Sequence, residues 1–216
     1  MSKKINTVEQ LESAMQQDIA WRKKEMVSLK ILVEKDNVNE ELLLRASIAL
    51  LCAHFEGFIK FASNAYIKFV SAQEIENREL TDNFPTFMLK GKFKECSDTE
   101  KVSIRSKLIS AYSTIANKPF KVKNDVISTH SNPSTPELEE IMKSIGVETD
   151  IFRTKARYID TDLLSNRHKV VHGERSMIDK TDFETTFSMI MKLLDQFAKV
   201  IISAADEKKY LKEESI

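Results

Sequence analysis

The chain has 216 residues, 42% of them hydrophobic and 31% charged, with 33 lysines and arginines against 33 aspartates and glutamates. This composition suits a globular domain with a substantial core and excludes a disordered or fibrous protein. The even charge balance excludes nucleic-acid binding driven by the field of the whole molecule, so any RNA contact has to come from a local patch.

Thr7 and Gln10 form a capping box, and Val8, Leu11, Met15, Ile19, Met26 and Val33 follow at helical spacing. A first helix is therefore expected up to about Asp36-Asn37. Its Arg22-Lys23-Lys24 triplet reads as a solvated face, the alternative being an RNA contact. Asn39 is placed to cap a second helix ending near Ala72. That helix is apolar on nearly all sides, the pattern of a central buried helix. His54 and Glu56 interrupt the apolar wall, where a charge needs a partner or a function, and Gly57 permits a close approach. The longest apolar stretch, Ala46 to Ile59, is too short to span a bilayer. The polar N-terminus lacks a signal-peptide apolar region, and Cys52 and Cys96 lack paired spacing, so a cytoplasmic protein without a membrane partner is expected.

Periodicity is lost from Glu74 to Gly91, and Asn83-Phe84-Pro85 reads as a break. Ser97 with Glu100 is expected to open a third helix that ends before Pro119. The alternating lysines of Lys118-Pro119-Phe120-Lys121-Val122-Lys123 suit a solvated edge strand or a phosphate backbone. Thr129 to Thr135 reads as polar loop, after which Thr135 caps a helix with Pro136 in its first turn and Gly146 as its stop. Asp160 or Thr161 caps the next helix, and Thr181 with Glu184 caps a last helix bearing Phe183, Phe187, Ile190, Leu194, Phe197 and Ile201 as its core stripe. With few glycines and prolines and no strand alternation, the expected fold is all-α, a single domain over 1–216. It is a bundle of four to six helices, two of them long, with a loop-rich connecting segment around 74–135.

The chemistry concentrates in Ser165-Asn166-Arg167-His168-Lys169-Val170-Val171-His172-Gly173-Glu174. Metal-free RNA cleavage uses the substrate's own 2′-hydroxyl as nucleophile. It needs a proton acceptor, a proton donor and positive charge on the phosphorane. Histidine suits proton transfer near neutrality, and the planar guanidinium fork of arginine suits the phosphate. Arg167 and His172 supply both parts. Five residues apart on an ideal helix, they diverge by about 140°, unless the helix stops between them. Gly173, a natural C′ position, puts that stop next to His172. A two-fold dimer would bring a second Arg167 and His172 to the same site. His168 and His172, four apart, also share a helical face as zinc ligands do, but Lys169 stands where a metalloprotease has its glutamate.

The run Leu163-Leu164-Ser165-Asn166-Arg167-His168-Lys169-Val170-Val171-His172-Gly173-Glu174 resembles the signature of HEPN-domain ribonucleases, and Leu51-Cys52-Ala53-His54-Phe55-Glu56-Gly57-Phe58-Ile59-Lys60 resembles the helix signature of the RiboL-PSP-HEPN branch. Ser131-Asn132-Pro133 to Gly146, then Phe152, is similar to that branch as well. The resemblance implies a HEPN-like helical bundle and a homodimer with a composite cleft. It also implies metal-independent endoribonuclease activity without a cofactor, and a toxin–antitoxin or anti-phage defence setting with an antitoxin or other defence-system partner. Carried over by position, Arg167 and His172 are the catalytic pair and His168 stands at the polar position of the motif, orienting or assisting. His54, Glu56 and Asn166 are supporting residues. The other reading is a non-catalytic helical module that binds RNA, a nucleotide or a partner protein, since shared fold does not establish shared chemistry.

Overall fold

Helix α2 (Glu40–Ala72) is the centre of the molecule because its composition leaves it no other stable place. Leu51, Phe55, Phe58, Ile59, Ala62, Tyr66 and Val70 are each at most 1% exposed. Burying one such large side chain contributes about 1.5–3 kcal/mol. The computed structural model describes residues 4–35, 38–129, 133–175 and 177–213. Around α2 pack the other two long helices, α1 (Val8–Lys35) and α8 (Lys180–Asp206), together with the short α7 (Leu164–Val171). The remaining helices are α3 (Asn83–Ser97), α4 (Val102–Ile115), α5 (Thr135–Ser144) and α6 (Asp150–Arg153), and a six-residue π-helical turn, Tyr158–Leu163, runs directly into α7. Aromatic pairs, most of them edge-on, stitch the core. Phe152 meets Phe55 at 6.0 Å and Phe197 at 5.7 Å between ring centroids, and Phe84 bridges Tyr66 and Phe120.

The all-α class is as expected, and the described residues contain no named strand, only isolated bridges such as Glu76 with Pro119. The helix count differs. Three helices are long, not two, and the described residues contain eight α-helices where four to six were expected. Two physical reasons account for the excess. Helix α6 has only four residues, too short for periodicity to separate it from loop. Asn83-Phe84-Pro85 starts α3 instead of breaking the chain, because a proline in the first turn gives up only an N–H that has no intrahelical acceptor. The segment around 74–135 thus holds two helices.

Several starts move for similar reasons. Ser97 ends α3, its hydroxyl donating to Lys94 O, and α4 begins only at Val102. Asp160 does not cap the motif helix. Its carboxylate accepts the Thr135 N–H at 2.8 Å and so serves the start of α5. A full capping box between Asp179 and Asp182, two residues before Thr181, opens α8. In α1, Gln10 N–H donates to Thr7 Oγ1 at 3.3 Å while the Gln10 amide oxygen accepts from Asn6 N–H. The expected α1 end at Asp36-Asn37, and Ser131-Asn132 of the resemblance, lie outside the described residues.

A polar line along α2 explains how so apolar a helix carries Glu56, Asn64 and Ser71. These residues hold the chain from Phe120 to Thr129 along the helix. Ser71 Oγ accepts Val122 N–H at 3.1 Å, and Asn64 Oδ1 accepts the N–H groups of Val126 and Ile127 at 2.9 and 3.1 Å. The Thr129 hydroxyl donates to Glu56. The expected edge strand is therefore an extended strap with Phe120 buried and Lys121 paired to Glu74. Contrary to the length argument from Ala46 to Ile59, α2, with a stretch of mean hydropathy 1.6, is long and apolar enough to cross a bilayer by length and composition alone. Half of that stretch is buried under neighbouring helices, so its apolar surface is already used in packing.

Candidate active site

The motif helix is fixed at both ends. At its start, Ile159 and Leu163 are fully buried and Leu164 nearly so. At its end, Gly173 has φ of +73°, Gly173 N–H donates to Val170 O at 3.2 Å and Glu174 N–H donates to Lys169 O at 2.8 Å. This is a Schellman motif, with His172 as the C-cap residue and glycine where a side chain would be strained. The C-terminal stop expected at Gly173 is there. Gly146 ends α5 in the same way, with φ of +71° and Val147 N–H on Met142 O.

Helical spacing then sorts the motif side chains. Arg167 lies four residues after Leu163 and three before Val170, on the stripe of α7 that faces α2. It is partly buried, and among the described residues its guanidinium makes no hydrogen bond or ion pair. Its charge acts on the Cys52 thiol, as does that of Glu56. Burial nevertheless dominates and pushes that thiol up to about 12, so Cys52 is an inert core group. His168 and His172 are both exposed and their rings are in tilted contact, with centroids 4.2 Å apart and planes at 44°. The structure therefore brings the two histidines together and turns Arg167 away from them toward α2. The stop at Gly173 leaves His172 at the helix end without folding it back over Arg167. Asn166 is partly buried, one position before Arg167.

The two α2 residues separate. Cys52 and Glu56 are one turn apart on the side that meets α7, and Glu56 is held there by Thr129. His54, two positions from either, points to α1. It is 3% exposed, its ring lies 5.4 Å edge-on from Trp21, and its Nε2 is 3.0 Å from a Glu25 carboxylate oxygen, without hydrogen-bond alignment. Burial holds its pKa below the usual 6.5 against the pull of Glu25, so it is neutral at pH 7. Arg22, from the triplet read as a solvated face, is buried instead. It pairs with Asp18 at 2.5 Å and donates to His54 O at 3.2 Å. Gly57 makes room for it, since a Cβ there would lie 2.7 Å from Arg22 Nη1. Lys23 pairs with Asp195 of α8 at 2.7 Å. The triplet is thus mainly a helix-packing device.

Arg45 escaped the sequence reading. Its Nη2 donates to Glu174 O at 2.9 Å, and its Nε is buried without a partner. It stands seven residues before Cys52, two turns along the same side of α2. Arg45 thereby brings a cation of α2 to the turn that ends α7. A cation inside the apolar periodicity of α2 was the available signal. Thr129, in an irregular strap, carried none. Among the described residues no cluster of three or more histidine, cysteine or acidic side chains could hold a metal ion, so within those residues the His168–His172 pair has no third ligand.

The all-α bundle built around a central apolar helix is consistent with a HEPN-like fold. The family model RiboL-PSP-HEPN matches residues 17–203, most of the chain, and the chain belongs to that family. Among curated proteins and among solved structures no significant match is found.

Proposed function

We propose that the protein is a metal-independent endoribonuclease whose reacting groups are Arg167 and His172. The observation that carries this reading is an unpartnered, partly buried guanidinium on the same short helix as an exposed histidine, in a RiboL-PSP-HEPN chain. Arg167 holds a non-bridging oxygen of the scissile phosphate and stabilises the charge that grows on the phosphorane. The substrate's 2′-oxygen forms the new bond to phosphorus and gives up its proton to a histidine acting as base, while the bond to the 5′-oxygen breaks and that oxygen takes a proton from a histidine acting as acid. The products are a 2′,3′-cyclic phosphate and a 5′-hydroxyl. His168, in tilted ring contact with His172, restricts its rotation. Arg45 fixes the turn after Gly173 and so the position of His172. Glu56, held by Thr129, lies on the Arg167 side of α2, whereas His54 supports the site only through the packing of α1 on α2.

One chain offers one His172 and points Arg167 to a different side. A homodimer with its two α7 ends facing each other supplies the second proton-transfer group, and exposed Leu42, Val171 and Met177 give that end of the bundle an apolar border. Toxin or defence function follows from this activity as the biological reading, in a cytoplasmic setting with RNA as substrate. The test is cleavage of RNA by the purified protein in chelator, with cyclic-phosphate ends on the products. Activity that vanishes in EDTA, or survives His172→Ala, overturns the mechanism. Mixing inactive Arg167→Ala with inactive His172→Ala chains tests the composite site. Recovery of activity means that one intact arginine from one copy and one intact histidine from the other suffice. The divergence of Arg167 and His172 within one chain favours a second reading, an RNA-binding module without cleavage, which the same assay reports as binding without products.

A further inference from the structure

Helices α3 and α4 form a hairpin that sits off the α1–α2–α8 frame. Helix α4 packs chiefly on α3, and none of its fourteen residues is buried. A helix with that much apolar sequence normally hides a face, yet Val102 is 79% and Ile109 71% exposed. The crevice between the two helices has a volume of about 440 Å³ and is lined by Pro85, Leu89, Phe93, Leu108, Ile109 and Tyr112, an almost wholly apolar floor. Its rim is basic. From Asn83 to Ile115 there are six lysines and arginines against three acids, in a chain that is balanced as a whole. Lys90, Lys94, Lys101 and Lys107 form no ion pair among the described residues, whereas Asp82 at the crevice's end is neutralised by Lys212 at 2.7 Å.

We propose that the α3–α4 hairpin is the docking site for an acidic amphipathic helix of a partner protein. The spacing of Leu108, Ile109 and Tyr112 along one side of α4, facing Leu89 and Phe93 of α3, is the groove into which a helix lays an apolar stripe. The unpaired lysines select acids on the flanks of that stripe. A second copy of this chain is disfavoured, because it would set two basic rims against each other. The apolar floor is the opposite of what a phosphate backbone seeks. This surface belongs to elements other than α2 and α7, so the inference does not depend on the proposed cleavage.

The experiment uses the full chain and fluorescence anisotropy with a labelled synthetic amphipathic peptide of about 18 residues, leucines on one face and glutamates on its flanks, the usual form of a groove-binding helix. A second peptide has the same leucines with lysine flanks, and a third probe is single-stranded RNA. The expected result is binding of the glutamate peptide that weakens with salt and falls about tenfold or more in Ile109→Asp, a groove-centre change on an exposed residue. Arg105→Glu with Lys101→Glu should lower it further, and Arg167→Ala should leave it unchanged. Circular dichroism and the unfolding midpoint confirm that each variant is folded. Equal binding of the lysine peptide, no binding of the glutamate peptide at millimolar concentration, displacement of the glutamate peptide by RNA, or self-association of the chain that Ile109→Asp abolishes would each overturn the proposal.

Discussion

The two sides of α2 use neighbouring residues of one sequence string for different ends. Toward α1, His54, Gly57 and Arg22 form a closed seam. The histidine is buried and neutral, the glycine is a space, and the arginine is spent on Asp18 and a backbone carbonyl. Toward α7, Arg45 steadies the end of that helix and Glu56 holds the strap through Thr129, while among the described residues Arg167 keeps its guanidinium unpaired. Arginine is thus buried and satisfied on one side, and partly buried but unsatisfied on the other. A partly buried guanidinium without a protein partner keeps its donors available to water or to a ligand.

Substitution breaks the comparison in a definite order. Arg167→Ala should slow RNA cleavage by about a hundredfold or more, as loss of one transition-state donor does. Because its side chain has no partner among the described residues, the free energy of unfolding should change by no more than about 0.5 kcal/mol. Gly57→Leu is the opposite case. It displaces Arg22 and overpacks the α1–α2 seam, at a cost of about 3 kcal/mol in denaturant unfolding, while the folded fraction keeps its rate. Arg45→Ala should act between these extremes. Loosening the turn after Gly173 should lower kcat by about tenfold with little change in KM, and about 1 kcal/mol of stability goes with the lost hydrogen bond. If Arg45 merely supports the fold, its effect appears in the midpoint and not in kcat.

The smallest effect is a pH dependence on the α1 side. The folded pKa of His54 lies below its ordinary 6.5, so as pH falls through that value the unfolded chain takes up the proton first. Stability from this group is complete above about 6.5 and declines as pH drops toward the lowered folded value. His54→Phe should flatten that part of the stability profile, read from unfolding midpoints between pH 7 and 5. An unchanged slope would mean that other groups carry it.

Much of this was legible in the chain. The apolar girth of α2, the core stripe of α8 and the glycine stop after His172 are local patterns, and each forms as its periodicity or its cap chemistry dictates. The Asp160 cap was misplaced because a carboxylate can satisfy any orphan N–H within reach, and the nearest in space, at Thr135, lies 25 residues away in sequence. The Arg22 triplet was misjudged for a related reason. Charge density suggests solvent until a glycine on another helix opens room for one guanidinium.

By itself, then, the sequence determined the all-α class, the family, and the identity of the residues able to do acid–base and phosphate chemistry, because those follow from periodicity and from functional groups that a side chain carries wherever it goes. Which of them are free to act was decided only by the tertiary structure. Whether an arginine is paired, a histidine buried or a glutamate tied to a strap depends on partners far along the chain, and such partners are chosen by packing in three dimensions.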